Sequence, residues 1–206
     1  NQPTFDEEAK LKARGYRLIA GVDEVGRGAL AGPVMAAAVV LYSDADIPWL
    51  DLVRDSKQLS PKQRERVVGL VWQAGIPAGL GAVSPAVIDE VGIVEATRMA
   101  MAQAVEALPC RPDFLLVDAL SLPKMNLPQK GIIKGDQRSL SIACASIVAK
   151  VNRDQRMKEL DSVYPGYGLA SHKGYGTSQH VQSLQKLGPC AIHRRSFAPV
   201  GRSTIA

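Results

Sequence analysis

Only three cysteines occur in the 206 residues, at Cys110, Cys144 and Cys190, far apart and odd in number. No CxxC pair and no Cys/His cluster is present, which excludes the common zinc spacings and speaks against a disulfide framework. A chain of this length buries a sizeable core without such staples. Reduced thiols in a cytoplasmic protein are the expectation. Long apolar runs are missing too. The longest candidate, Ala29 to Leu41, is interrupted by Gly32 and Pro33 and falls short of the roughly 18 residues a membrane span needs. No signal peptide is expected. Internal repeats, low-complexity tracts and long linkers are absent, which sets aside solenoids and disordered arrays. One domain, or one with a small appendage, is expected, since domains run to about 100–200 residues.

Acidic residues become scarce in the second half. Residues 1–120 hold 12 Lys/Arg against 16 Asp/Glu, a net of −4, whereas residues 121–206 hold 13 against 4, a net of +9. The whole chain carries +5. Such asymmetry suits a polyanionic partner, and it also suits a plain solvated face.

Apolar segments alternate with helical patterns. Strands are expected at Tyr16–Val22, Pro33–Tyr42, Gly79–Val83, Asp113–Val117 and Gly131–Lys134. Ser60-Pro61 opens a helix with a capping serine and a first-turn proline. Ser84-Pro85 opens another, expected to run through Ala107 with Val87, Val91, Val94 and Met101 as its apolar stripe. Ser141–Lys158 reads as a helix, apolar and then basic, and a last helix is expected near Gln179–Leu187. The fold class is α/β, or a mixed α+β core.

Three of these strands end in acid. Asp23 and Glu24 follow LIAGV, Asp118 follows FLLV, and Asp136 follows IIKG. Any one of them suits a turn or a helix cap. Gathered at one sheet edge, they would repel one another unless a cation lay between them. Oxygen-only ligands favour Mg²⁺ or Mn²⁺ over zinc, and two such ions can clamp a phosphodiester. Gly26-Arg27-Gly28-Ala29-Leu30-Ala31 also fits GxGxxA, a dinucleotide fingerprint. However, Asp23-Glu24 would set negative charge beside a pyrophosphate, and Gly32-Pro33 breaks the helix that should cradle it. A glycine loop that lets a ligand come close is the better reading.

The string GVDEVGRGALAGPV (21–34) resembles the opening active-site motif of ribonuclease HII, the type 2 ribonuclease H family. DSKQLS (55–60), LLVDAL (115–120), KGDQRSLSIACASIVAKVNRD (134–154), HKGYGT (172–177) and HRRSF (193–197) match further motifs in order. Departures fall at Ala29, Gly92, Cys144 and Gly176, and none touches a carboxylate. The short segment before the first strand disfavours the type 3 enzymes.

The resemblance implies a ribonuclease H-like fold: a central mixed sheet flanked by helices, with a small helical C-terminal region. It implies a catalytic core over 1–160 and a C-terminal part over 161–206 that completes the substrate cleft. It implies an endonuclease that cuts the RNA strand of RNA–DNA hybrids. The same enzyme would nick DNA 5′ of a single embedded ribonucleotide, leaving 3′-hydroxyl and 5′-phosphate ends. Asp23, Glu24, Asp118 and Asp136 match the catalytic, metal-binding carboxylates, which hold Mg²⁺ or Mn²⁺, two ions at turnover. Gly26, Arg27 and Gly28 match the loop that recognises the ribonucleotide 2′-hydroxyl. Tyr175 matches the tyrosine that packs on the next deoxyribose. Lys57, Ser146, Lys150, His172 and Lys173 lie in family motifs that hold phosphates; Lys150 equally suits a helix-surface lysine and Ser146 a packed helix residue, while His172 is expected near the substrate, with a structural hydrogen bond as the alternative. Nucleic acid is the expected partner, with no membrane and a monomeric protein. The alternatives are a hybrid-binding protein without catalysis and, from GxGxxA, a dinucleotide oxidoreductase.

Overall fold

The computed structural model describes residues 2–42 and 47–202. Its centre is a five-stranded mixed sheet built from β1 (Ile19–Val25), β2 (Val34–Val40), β3 (Ala78–Val83), β4 (Phe114–Asp118) and β5 (Gln129–Ile132), in the order β3-β2-β1-β4-β5. β2 runs antiparallel to β1 and β3, while β4 runs parallel to β1 and β5. This is the mixed α/β architecture expected.

The described residues form seven α-helices: α1 (Asp6–Lys12), α2 (Pro61–Gln73), α3 (Pro85–Val91), α4 (Ile93–Glu106), α5 (Leu140–Val163), α6 (Leu169–His172) and α7 (Ser178–Leu187). β2 is buried along its whole length, because both of its faces are covered. Successive side chains point to opposite faces. Ala36, Ala38 and Val40 pack with Ala96, Ala100 and Met101 of α4. Ala37 and Val39 pack with Val67 and Val71 of α2 and with Ala143 and Ile147 of α5.

The single helix expected from Ser84 to Ala107 is two. Gly92 ends α3 with a φ of 78° and begins α4. That break rotates the pattern, so Val91 and Val94 lie exposed while Ala96, Ala100, Met101 and Ala104 form the buried face. The capped start at Ser60 is present as a full capping box with Gln63.

α1 lay outside the expected elements. It is held by tertiary contacts: Glu8 accepts from Ser139 Oγ at 2.7 Å and from the Ser141 amide at 3.0 Å, at the start of α5. Gly21 allows α5 to lie directly on β1, since a Cβ there would fall within the Ser141 backbone. That close approach carries the first turns of α5 toward the acidic end of β1.

Candidate active site

Asp23 and Glu24 lie within β1, paired with Ala37 and Ala36 of β2, so the first strand does not stop before its acids. Asp118 is the last residue of the neighbouring β4. Asp136 sits in the 3-10 turn Gly135–Gln137 that follows β5. Carboxylate oxygens of Asp23, Glu24 and Asp118 all lie within 4.8 Å of one another. Asp136 lines the same cleft, of about 420 Å³, with its Oδ2 receiving Lys57 Nζ at 3.1 Å.

The trio is electrostatically frustrated as protein alone. Burial, then Glu24 and Asp118, pushes the Asp23 carboxyl well above its usual range. Burial also raises Glu24, against the pull of Arg27. Asp118 is raised by burial and by Asp136, although its Oδ1 accepts the Gly135 amide at 2.7 Å. The Glu24 Oε2 is buried with no hydrogen-bond partner. A buried acceptor without a donor costs about 1–3 kcal/mol, and a hard divalent cation would satisfy both that oxygen and the mutual repulsion. The donor set is oxygen only, so the residues present fit Mg²⁺ or Mn²⁺.

The loop after β1 is shaped from beneath. Gly26 has a φ of 88°, and a Cβ there would strike the Arg153 guanidinium. Fully buried Arg194 donates to the carbonyls of Gly26 and Arg27, each at 2.8 Å, and of Gly32 at 2.9 Å. Burial pulls Arg194 down to about 10, which still leaves it charged at neutral pH. In a trans peptide the carbonyl and the following N–H point opposite ways. With those carbonyls turned to Arg194, the N–H groups of Arg27 and Gly28 point away from it, in a loop that lines the cleft. Arg27 Nη1 also pairs with Glu24 Oε1 at 3.2 Å. This segment is a loop and heads no helix, which rules out the dinucleotide reading.

Tyr175 lines the cleft from the far side of the chain, its ring 5.5 Å from the Arg153 guanidinium. Arg153 itself donates to the carbonyls of Ala31, Pro33 and Lys173. Ser146 and Lys150 face the cleft from α5. Ser146 Oγ is 3.0 Å from Ser56 Oγ, and Lys150 pairs with Asp154 at 2.8 Å. Lys57 is drawn down by burial and more strongly up by Asp136, Asp55 and Asp23, and it ends raised.

His172 and Lys173 are not brought to the cleft. The His172 ring is buried between the Tyr167 carbonyl and the Gly174 amide. Lys173 turns its ammonium to the carbonyls of Ala170 and Ser171. Ser56 and Arg64 do line the cleft, and neither was singled out from the sequence. Ser56 lies within DSKQLS, so a signal for it existed. Arg64 gave none, being one of several basic residues on α2.

Comparison with known proteins shows the family. The family model described as ribonuclease HII matches residues 20–200. A ribonuclease HII of Dehalococcoides mccartyi is 54% identical over 198 residues, covering 96% of this chain and 93% of the relative. A ribonuclease HII of Geobacter metallireducens is 50% identical, covering 96% of each. Among solved structures, ribonuclease H2 from Pyrococcus horikoshii OT3 superposes with a TM-score of 0.73 at 27% identity, covering 90% of this chain and 96% of that one. The chain therefore belongs to the ribonuclease HII family.

Proposed function

We propose that this ribonuclease H, a metal-dependent endonuclease, uses the cleft to cut 5′ of a ribonucleotide, in RNA–DNA hybrids and at single ribonucleotides embedded in duplex DNA. The observation that carries the reading is a juxtaposition: the carboxylates of Asp23, Glu24, Asp118 and Asp136 share one cleft with Gly26, Arg27, Gly28 and Tyr175. A pure binder of polyanions would be weakened by four acids at its centre.

Asp23, Glu24, Asp118 and Asp136 would hold two divalent ions, Mg²⁺ or Mn²⁺, whose chemistry is to activate water and neutralise charge at the leaving 3′-oxygen. The protein's own part is placement. The outward N–H groups of Arg27 and Gly28 offer donors to a 2′-hydroxyl, the group that separates RNA from DNA at one position. Tyr175 offers a flat apolar face to the neighbouring deoxyribose. Lys57, Lys150 and Arg64 offer cations to phosphates, while Ser146 supports Asp23. Cleavage would leave 3′-hydroxyl and 5′-phosphate ends. We read residues 1–160 as the catalytic core and 161–206 as the part that closes the cleft with Tyr175. We further read the protein as a cytoplasmic monomer acting in ribonucleotide removal and DNA replication. Among the described residues no helix is long and apolar enough to cross a membrane.

The test is cleavage of a duplex carrying one ribonucleotide, in Mg²⁺, in Mn²⁺ and in EDTA, by the wild type and by Asp23→Asn. Metal-dependent nicking 5′ of the ribonucleotide, lost in Asp23→Asn while binding persists, is expected. Binding without nicking by the wild type would instead support the non-catalytic alternative.

A further inference from the structure

All three histidines meet behind the segment that carries Tyr175. The rings of His172 and His180 stack at 4.4 Å and 16°, and His180 Nε2 lies 3.0 Å from His193 Nε2. Backbone groups claim the remaining nitrogens, with the Cys190 thiol a second neighbour of His193 Nδ1 at 3.1 Å. The Cys190 amide donates to His193 Nδ1 at 3.0 Å, and the Gly174 amide donates to His172 Nδ1 at 3.2 Å. His180 Nδ1 faces the Tyr175 carbonyl at 2.9 Å, and His172 Nε2 faces the Tyr167 carbonyl at 2.8 Å.

These partners assign every imidazole proton. A nitrogen that receives an N–H is bare, and one that faces a carbonyl carries a hydrogen. His193 is therefore bare at Nδ1 and protonated at Nε2, which donates to a bare Nε2 of His180. His180 carries its proton on Nδ1, which donates to the Tyr175 carbonyl. A one-way chain runs from the Cys190 amide to Tyr175. It holds only while both rings are neutral, because a second proton on His180 would meet the His193 Nε2–H. Burial, with His180 as the next cause, brings His193 down to about 4, and burial lowers His180 as well. The same segment is pinned to the loop after β1, since the Leu30 amide donates to the Gly174 carbonyl at 2.8 Å and Ala31 pairs with His193.

We propose that His180 and His193 are positioning residues for substrate selection. Their imidazole chain fixes the Tyr175 carbonyl and, through it, the ring that faces the cleft. The proposal rests on the reading of Tyr175 as a deoxyribose contact. It concerns the single-ribonucleotide substrate most, because a uniform hybrid has no deoxyribose after the cut ribonucleotide on that strand.

The experiment compares the full chain with Tyr175→Ala, His180→Leu, His180→Asn and the double variant Tyr175→Ala/His180→Leu. Each is assayed on a single-ribonucleotide duplex and on a uniform RNA–DNA hybrid, with thermal melting as the fold control. Tyr175→Ala and His180→Leu should each raise KM for the single-ribonucleotide duplex about tenfold, with kcat and the hybrid changed far less. The double variant should be no worse than Tyr175→Ala, since both act through one ring. His180→Asn places an amide N–H where Nδ1–H stood and should restore most of the loss. Nitrogen-15 shifts should place the His180 proton on Nδ1 and those of His172 and His193 on Nε2.

A folded His180→Leu with wild-type KM on both substrates overturns the proposal. So does an equal loss on both substrates that His180→Asn does not rescue, because that marks a role in stability alone. If Tyr175→Ala itself changes nothing, the reading of Tyr175 has failed, and the proposal fails with it. If Tyr175→Ala acts and His180→Leu does not, the proposal alone has failed.

Discussion

The Nη2 of Arg194 donates to the carbonyl of Gly26 at 2.8 Å, across 168 residues of sequence. One buried cation from the C-terminal region thereby holds the carbonyls of the loop after β1. Arg194 is fully buried, so its guanidinium serves the protein's own backbone.

Arg194→Met should therefore act on both stability and selection. It strands the carbonyls of Arg27 and Gly32 and leaves that of Gly26 with the Ala29 amide at 3.3 Å, each lost bond costing about 1–3 kcal/mol when buried. A loss of at least about 3 kcal/mol in denaturant unfolding is expected. Discrimination between a ribonucleotide and a deoxyribonucleotide at the cut site should collapse in the same protein. A stable variant with intact discrimination would show that the loop holds its shape unaided.

Asp23→Asn should trade activity for stability. Cleavage should be lost, yet the metal-free protein should melt higher. Two charges about 4 Å apart repel by roughly 1–4 kcal/mol between water and a protein surface, and each 1 kcal/mol moves the midpoint by roughly 2–4 °C at this chain length. Calorimetry in EDTA checks it. A lower midpoint would mean that the Asp23 bond to the Glu24 amide at 2.8 Å outweighs the repulsion.

The acid cluster also sets a pH dependence with a definite sign. Asp23, Glu24 and Asp118 all have raised values in the fold. Over that window the folded state binds more protons than the unfolded one. The cluster's contribution is then fully present below the ordinary carboxylate range and is lost as pH rises through the raised values. Glu7 and Asp89 are lowered and act oppositely, so the difference between the wild type and Asp23→Asn isolates the cluster. That difference in metal-free melting should widen from pH 4 to pH 8, and Mn²⁺ or Mg²⁺ should lift the wild type more than the variant.

Lys57→Met should separate metal binding from substrate binding. Its ammonium lies 3.1 Å from Asp136 Oδ2 and 4.0 Å from Asp55 Oδ1. Without it, Asp136 gains negative potential, and the divalent ion should bind several-fold more tightly in titration calorimetry. KM for nucleic acid should rise over the same change, with a smaller salt dependence, as one cation is withdrawn from the phosphates. Weaker metal binding would show that Lys57 orients Asp136 more than it competes for it.

Much of the site was legible because its residues are local. The acids, the Gly-Arg-Gly loop and Tyr175 each sit in a short string whose residue types carry chemistry. Expected and observed strands agree to within a few residues, since burial on both faces leaves continuous apolar runs such as Val34–Val40. The readings that shifted depended on partners distant in sequence. His172 resembled a substrate residue from its motif, and only the Tyr167 carbonyl and the Gly174 amide show where its nitrogens go. The stripe through Val91 and Val94 failed because one glycine with positive φ restarted the helix.

Sequence alone determined the fold class, the family resemblance and the four acids. Hydrophobic periodicity and short motifs are properties of neighbouring residues, and they survive without the fold. Tertiary structure alone decided which acids come within 4.8 Å of one another, which loop carbonyls turn to Arg194, and that three histidines meet in one cluster. Each of these depends on distances between atoms tens to hundreds of residues apart, set by how α5 and the C-terminal segment pack on β1 and its loop.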